Sequence, residues 1–232
     1  RHKVYTEWGF EEKNRGRGIG ISVLFAGTSG TGKTMAAEIL SSELKLSLLR
    51  INLSQVVSKY VGETMRNLEI IFESAEKGGV VLFADEAESL FATRTEIKQS
   101  LDRYANIETG YLLQRIESYN GLVILSTNMP NVLDNAFVRR IRFKVTFPFP
   151  DEESRFKIWI KTFPNRTPLG SLDFSSLAKL KLSGGNISNI CLNASFFAAH
   201  DNKPVNMTHI KKGLQIEYSK MGQSMTNNDF FS

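Results

Sequence analysis

The sequence predicts an α/β fold, a parallel five-stranded sheet flanked by helices, followed by a smaller α-helical domain. Three observations carry this. Five short apolar runs, near 21–26, 47–52, 80–84, 122–128 and 142–147, alternate with stretches of helical character, the signature of a parallel sheet with crossover helices. The first run passes directly into a glycine-rich octapeptide and then into a helix start. After the fifth run, Phe147-Pro148-Phe149-Pro150-Asp151 breaks the chain with two prolines, and only helical patterning follows. The expected division is 1–149 for the α/β domain and 150–232 for the helical one.

Ile21 to Ala26 reads as a buried strand, and Met35 to Leu40 as the start of a helix. Between them, Gly27 to Thr34 spells GTSGTGKT, the pattern of a loop that cradles nucleotide phosphates. Its glycines let backbone N–H groups close on an anion, and the helix N-terminus adds partial positive charge. The expected contacts run through Thr28, Ser29, Gly30, Thr31, Gly32, Lys33, Thr34 and Met35. Lys33 is expected to reach the β- and γ-phosphates, and the Thr34 hydroxyl to ligate Mg²⁺. A glycine-rich turn with no ligand is the plain alternative. The strand before it and the helix after it argue against that.

The second strand is followed by Lys59-Tyr60-Val61-Gly62 and a helix from Glu63 to Lys77. A lone Tyr in such a loop is ordinarily a half-buried packing residue. An aromatic–aliphatic–Gly triplet is nonetheless unusual to expose. The third strand, Val80 to Ala84, is continuously apolar, as a central parallel strand should be, and ends in Asp85-Glu86. Carboxylates at that edge lie where open α/β sheets bind ligands. Asp85 is expected to hold Mg²⁺ and Glu86 to polarise an attacking water. The bland reading is a charge pair at a helix N-terminus. The fourth strand ends at Asn128, which is placed to orient that water, or simply to turn the chain before Pro130.

Leu133 to Val138 reads as a short helical turn, leading to Arg139-Arg140 and the fifth strand. Paired arginines there are either a solvated rim or a source of positive charge for phosphoryl transfer. Asp151 can N-cap the first of four helices, Glu152 to Phe163, Phe174 to Leu182, Ile187 to His200 and Met207 to Met221. Ser183-Gly184-Gly185-Asn186 opens the third of them, by its plain reading an ordinary cap. The tail from Gly222 is polar and expected to fray.

Taken in order, these motifs make the chain resemble an AAA-type ATPase, the ring-forming branch of the P-loop NTPases. The carrying segments are GTSGTGKT, VSKYVGET, VVLFADEAESL, LSTN, LDNAFVRRIRF, PFPD and SGGNISNI, and the likeness runs from about residue 20 to 220. YTEWGF, SQVVSKYVGE, DRYANIE and RRIRFKVTFPFPD further resemble the AAA ATPase encoded with bacterial contractile injection systems, which are phage-tail-like particles. The resemblance implies ATP and Mg²⁺ as ligands, a helical lid, and a hexameric ring of identical subunits. It implies a sheet in which the strands bearing the two nucleotide motifs are not adjacent. It implies that Arg139 and Arg140 reach the γ-phosphate held by a neighbouring subunit. It places Lys59, Tyr60, Val61 and Gly62 in a central pore gripping an extended polypeptide, with a second pore segment within 92–105. It packs Gly185 near adenine and ribose. Asn186 stands where many ring ATPases place an arginine, which implies nucleotide sensing through packing more than through charge.

Composition fits a compact enzyme. The 232 residues are 41% apolar, with no run near the ~18 apolar residues of a membrane span, so no membrane partner is expected. A single cysteine, Cys191, excludes an intrachain disulfide and suits a reducing bacterial cytoplasm. The chain opens at Arg1 rather than Met, so further chain is expected before it. The net charge of +5 is spread among 24 acidic residues without a basic–aromatic cluster, so nucleic acid is not the expected partner. The leading expectation is a Mg²⁺-dependent ATP hydrolase that remodels, unfolds or disassembles protein by threading. Two alternatives stand beside it: a nucleic-acid motor or loader, and an ATP-binding assembly scaffold with little turnover.

Overall fold

The computed structural model describes residues 3–9, 20–56, 62–90, 100–133 and 135–223. They divide into two compact units, Arg1–Thr28 with Lys33–Phe147, and Ser29–Gly32 with Pro148–Ser232. The tip of the glycine-rich loop is thus grouped with the C-terminal helices.

After a π-helical turn, Lys3–Glu7, the first unit runs β1 (Ile21–Ala26), α1 (Lys33–Glu43), β2 (Leu48–Asn52), the single turn α2 (Leu53–Val56), α3 (Glu63–Gly78) and β3 (Val81–Asp85). A 3-10 turn at Ala87–Leu90 follows, then α4 (Ser100–Ser118), β4 (Leu122–Thr127), α5 (Asn135–Arg140) and β5 (Phe143–Thr146). The sheet is parallel, in the order β2-β3-β4-β1-β5. β1 and β3 are therefore separated by β4, as the resemblance implies.

The three central strands are nearly continuous buried runs because both faces of the sheet are covered. Alternate residues point to opposite sides. Leu24, Leu82 and Leu125 join one core with Leu68 and Phe72 of α3 and Leu112 of α4. Phe25, Phe83 and Ile124 join the other with Ala37 of α1. Phe72 meets Tyr119 edge-on at 5.8 Å, and the Tyr119 hydroxyl donates to the Val80 carbonyl at 2.7 Å. β5 differs, with all four residues exposed. Register holds the strand ends level: Ala26 lies opposite Thr127 and Thr146, and Asn52 opposite Asp85. The C-terminal edge thus gathers the ends of β1, β3 and β4.

The second unit packs α6 (Glu152–Thr162), α7 (Phe174–Lys179), α8 (Gly184–His200) and α9 (Met207–Lys220) around Trp159, Leu177, Ile187, Ile190 and Leu214. Each helix starts on a side-chain cap: Asp151 accepts from the Ser154 N–H, Asp173 from Ser175 and Ser176, Ser183 from Asn186, and Asn206 from Thr208 and His209. The helix expected over 174–182 stops at Lys179. Leu180 turns extended, and Leu180 and Leu182 still bury their side chains in the core.

Candidate functional site

β1 delivers the chain to Gly27 at the sheet's edge. The Gly27 N–H donates to the Thr127 carbonyl at 3.2 Å. A Cβ here would lie 2.2 Å from the Phe147 carbonyl oxygen, so only glycine passes. Gly30 and Gly32 then take left-handed backbone, φ 77° and 97°, which lets the loop turn back into α1. Within the second unit, Gly30 lies so close to Ser183 that a Cβ would meet its Oγ at 2.4 Å, and the Gly30 carbonyl accepts from the Gly185 N–H at 2.9 Å.

Lys33, the first residue of α1, is only 6% exposed. Its Nζ donates to the Gly27 carbonyl at 2.7 Å, the Thr28 carbonyl at 2.9 Å and Asn128 Oδ1 at 2.7 Å, which uses all three ammonium protons. Burial pulls its pKa below the ordinary value, against the attraction of Asp85 and then Glu88. The sequence sends Lys33 outward to phosphate and Asn128 to water. The structure joins the two side chains and sets Lys33 against the Gly27 and Thr28 carbonyls. Thr34 is half-buried in the first turn of α1, and Met35 is exposed.

Asp85 ends β3. Its Oδ1 accepts from the Glu86 N–H at 3.1 Å, and its Oδ2 lies 3.6 Å from Arg50 Nη2 on the neighbouring strand. Glu86 is half-buried and takes a left-handed backbone, φ 58°. That conformation costs a non-glycine residue roughly 1–2 kcal/mol, the kind of local cost found at functional sites. Two further residues sit beside it, of which sequence reasoning missed Arg50. Arg50 pairs with Asp85. Glu88, on the 3-10 turn, accepts from the Asn128 N–H at 3.3 Å through Oε1, while its Oε2 is buried with no partner among the described residues. Strand register could have flagged Arg50. Nothing in the sequence singles out the Glu88 contact.

Arg139 and Arg140 are exposed at the end of α5, and Arg140 Nε lies 3.9 Å from Glu117 Oε1. Among the described residues, neither forms a hydrogen bond or ion pair with Lys33, Asp85, Glu86 or Asn128. Lys59, Tyr60 and Val61 lie outside the described residues, as does 92–99 of the second expected pore segment. Gly62 is described, exposed at the start of α3 with φ 85°.

Gly27 walled by the Phe147 backbone, the buried Lys33 ammonium and the Asp85 carboxylate at the end of β3 all lie in the first unit. The ATPase family associated with various cellular activities (AAA) matches residues 23–151. The chain belongs to the AAA family. Over 185 residues it is 31% identical to the 26S proteasome regulatory subunit 10B homolog A of Arabidopsis thaliana, covering 76% of this chain and 46% of that one. Identity is 32% over 190 residues with the proteasome-activating nucleotidase of Pyrococcus horikoshii, 78% of this chain and 47% of the relative. With the 26S proteasome regulatory subunit 10B of Dictyostelium discoideum it is 32% over 185 residues, 76% and 47% respectively. The chain spans about half the length of these relatives. The matched segment is an AAA ATPase domain, and it contains Gly27 to Thr34, Asp85, Glu86 and Asn128 but not Ser183 or Gly185. Among the described residues, no helix is long and apolar enough to cross a membrane.

Proposed function

We propose that the chain is the motor module of a ring-forming AAA ATPase that couples ATP hydrolysis to remodelling of a polypeptide. The observation that carries this is the buried Lys33 ammonium, held by Gly27, Thr28 and Asn128, with Gly27 a position where a Cβ would collide with the Phe147 backbone. A cation buried there at a desolvation cost has a purpose if an anion arrives.

In this reading Thr28 to Met35 supply N–H donors to the phosphates, and Lys33 exchanges its carbonyl partners for phosphoryl oxygens. The hard oxygen donors of Thr34 and Asp85 suit Mg²⁺. Bound there, Mg²⁺ neutralises charge on the phosphoryl oxygens. Asp85 must then give up Arg50. Glu86 accepts a proton from the attacking water, and Asn128, released from Lys33, orients that water. Arg139 and Arg140 act on the γ-phosphate of a neighbouring subunit, a contribution of ~10³–10⁵ in rate, or about 4–7 kcal/mol of barrier.

We take 1–149 as the ATP-binding domain and 150–232 as its lid, with Gly185 close to the nucleotide. The partners are identical subunits in a hexamer and a polypeptide drawn past Lys59, Tyr60, Val61 and Gly62 in the cytoplasm. Relatives named for the proteasome support a polypeptide client. The likeness of YTEWGF and RRIRFKVTFPFPD to the ATPase of contractile injection systems supports a bacterial phage-tail-like particle or its cargo as that client.

The test pairs two variants. Lys33→Ala should lose ATP binding. Glu86→Gln should bind ATP as the wild type does and stop hydrolysis, and as a trap it should retain its client for identification. Micromolar ATP affinity in folded Lys33→Ala protein refutes the phosphate-loop reading.

A further inference from the structure

Glu217, on α9, is a carboxylate only 4% exposed in the second unit. Its Oε1 accepts from Asn186 Nδ2 at 3.0 Å and from Asn189 Nδ2 at 3.2 Å, and its Oε2 from Lys220 Nζ at 3.3 Å. Burial pushes its pKa up, but the hydrogen bonds from Asn186, Asn189 and Lys220 outweigh that and leave it below its ordinary value. Helix packing alone rarely calls for such a group, because a buried carboxylate costs free energy unless its partners are complete.

The contacts continue past Asn186. With its amide nitrogen on Glu217, its Oδ1 must face Ser183, where it accepts from both the N–H, at 3.0 Å, and the hydroxyl. The reversed amide would set oxygen against a carboxylate and an N–H donor against an N–H donor, so Glu217 fixes the orientation. The Asn186 N–H in turn donates to Ser183 Oγ at 3.2 Å. That hydroxyl is the atom a Cβ on Gly30 would strike at 2.4 Å. Beside it the Gly185 N–H holds the Gly30 carbonyl at 2.9 Å. No described peptide is cis, so the Thr31 N–H points away from α8, opposite that carbonyl.

We propose that Glu217 is a positioning residue for the phosphate loop, acting through Asn186 and Ser183 on Gly30 and so setting the direction of the Thr31 N–H. This rests on reading Gly27–Thr34 as the phosphate loop. Asn189 and Lys220 satisfy the same carboxylate without touching Ser183, which provides an internal control.

The experiment uses the full chain and measures the affinity of a fluorescent ATP analogue beside the melting temperature. Glu217→Leu and Asn186→Ala should each weaken binding on the order of tenfold, the scale of a lost cap. Combining them should weaken it no further than the larger single change, because both break one link. Glu217→Gln keeps an acceptor for Asn186 and should stay within about threefold. Asn189→Ala should stay within about twofold while lowering the melting temperature comparably. Should Glu217→Leu fail to fold, Ser183→Ala against Asn189→Ala makes the same comparison at the other end of the link. The proposal is overturned if folded Asn186→Ala and Ser183→Ala bind as wild type does while Lys33→Ala does not bind, or if Asn189→Ala weakens binding as much as they do. Wild-type binding by Lys33→Ala would instead remove the phosphate-loop reading, and this inference with it.

Discussion

Replacing Gly27 with alanine tests whether the entry to the phosphate loop is set by sterics. The new Cβ would lie 2.2 Å from the Phe147 carbonyl oxygen, 3.0 Å from Phe147 Cβ and 3.1 Å from its carbonyl carbon. Phe147 cannot easily yield. Its N–H is bonded to the Ala26 carbonyl at 2.7 Å, and its ring lies 4.9 Å from that of Phe25. Relief must come from moving backbone on both sides. Overpacking costs ~1–3 kcal/mol, and a collision with main-chain atoms belongs at about 3. With roughly 2–4 °C per kcal/mol for a chain of this size, melting should fall by about 6–12 °C. The control is Gly110→Ala, inside α4, where a Cβ meets nothing within 4 Å. It should gain ~0.4–1 kcal/mol by restricting the unfolded chain. Thermal unfolding followed by circular dichroism, without nucleotide, reads all three proteins. A Gly27→Ala protein melting within about 2 °C of wild type would refute the reasoning, as would equal effects at both glycines.

Arg139→Ala and Arg140→Ala should each cut hydrolysis steeply while leaving ATP affinity little changed. Mixing Arg139→Ala with Lys33→Ala subunits should restore part of the activity, and no recovery on mixing would exclude arginines acting between subunits. Tyr60→Ala should leave basal ATPase within a few-fold of wild type yet abolish remodelling of a trapped client, with Tyr60→Phe active. A melting loss of the ~3–5 kcal/mol expected of a deleted core aromatic would make Tyr60 a packing residue instead. Burial pushes the Cys191 thiol up to about 12. A thiol reagent at pH 8 should therefore modify the native protein far more slowly than the unfolded one, and rapid labelling of native protein would mean that the helical unit opens readily.

The central strands were legible because a strand covered on both faces must be apolar at every position, as Val81-Leu82-Phe83-Ala84 is. The helix expected over 174–182 ran three residues long because Leu180 and Leu182 are apolar and buried although they lie beyond the helix, with Leu180 already extended. In the site, the residues that shape an anion cradle were readable from their chemistry. Their pairings were not. Lys33 meets Asn128 across 95 residues of sequence, and Arg50 meets Asp85 only because β2 and β3 pair in one particular register. Glu217 looks like one more surface charge on a helix until its burial and its three donors are known.

The three acceptors around Lys33 bear on turnover as much as on binding. A lysine left naked after product departs would make the vacated loop a high-energy state, and the barrier to departure would rise with it. The Gly27 and Thr28 carbonyls and Asn128 Oδ1 hold the ammonium here, and on the proposed function they would take it back as the phosphates withdraw. On the proposed function, spent nucleotide would then leave by a relay of partners rather than through a bare intermediate. Some tightness of grip would be given up for speed of exchange, a trade that suits the proposed motor, whose every stroke must end in letting go.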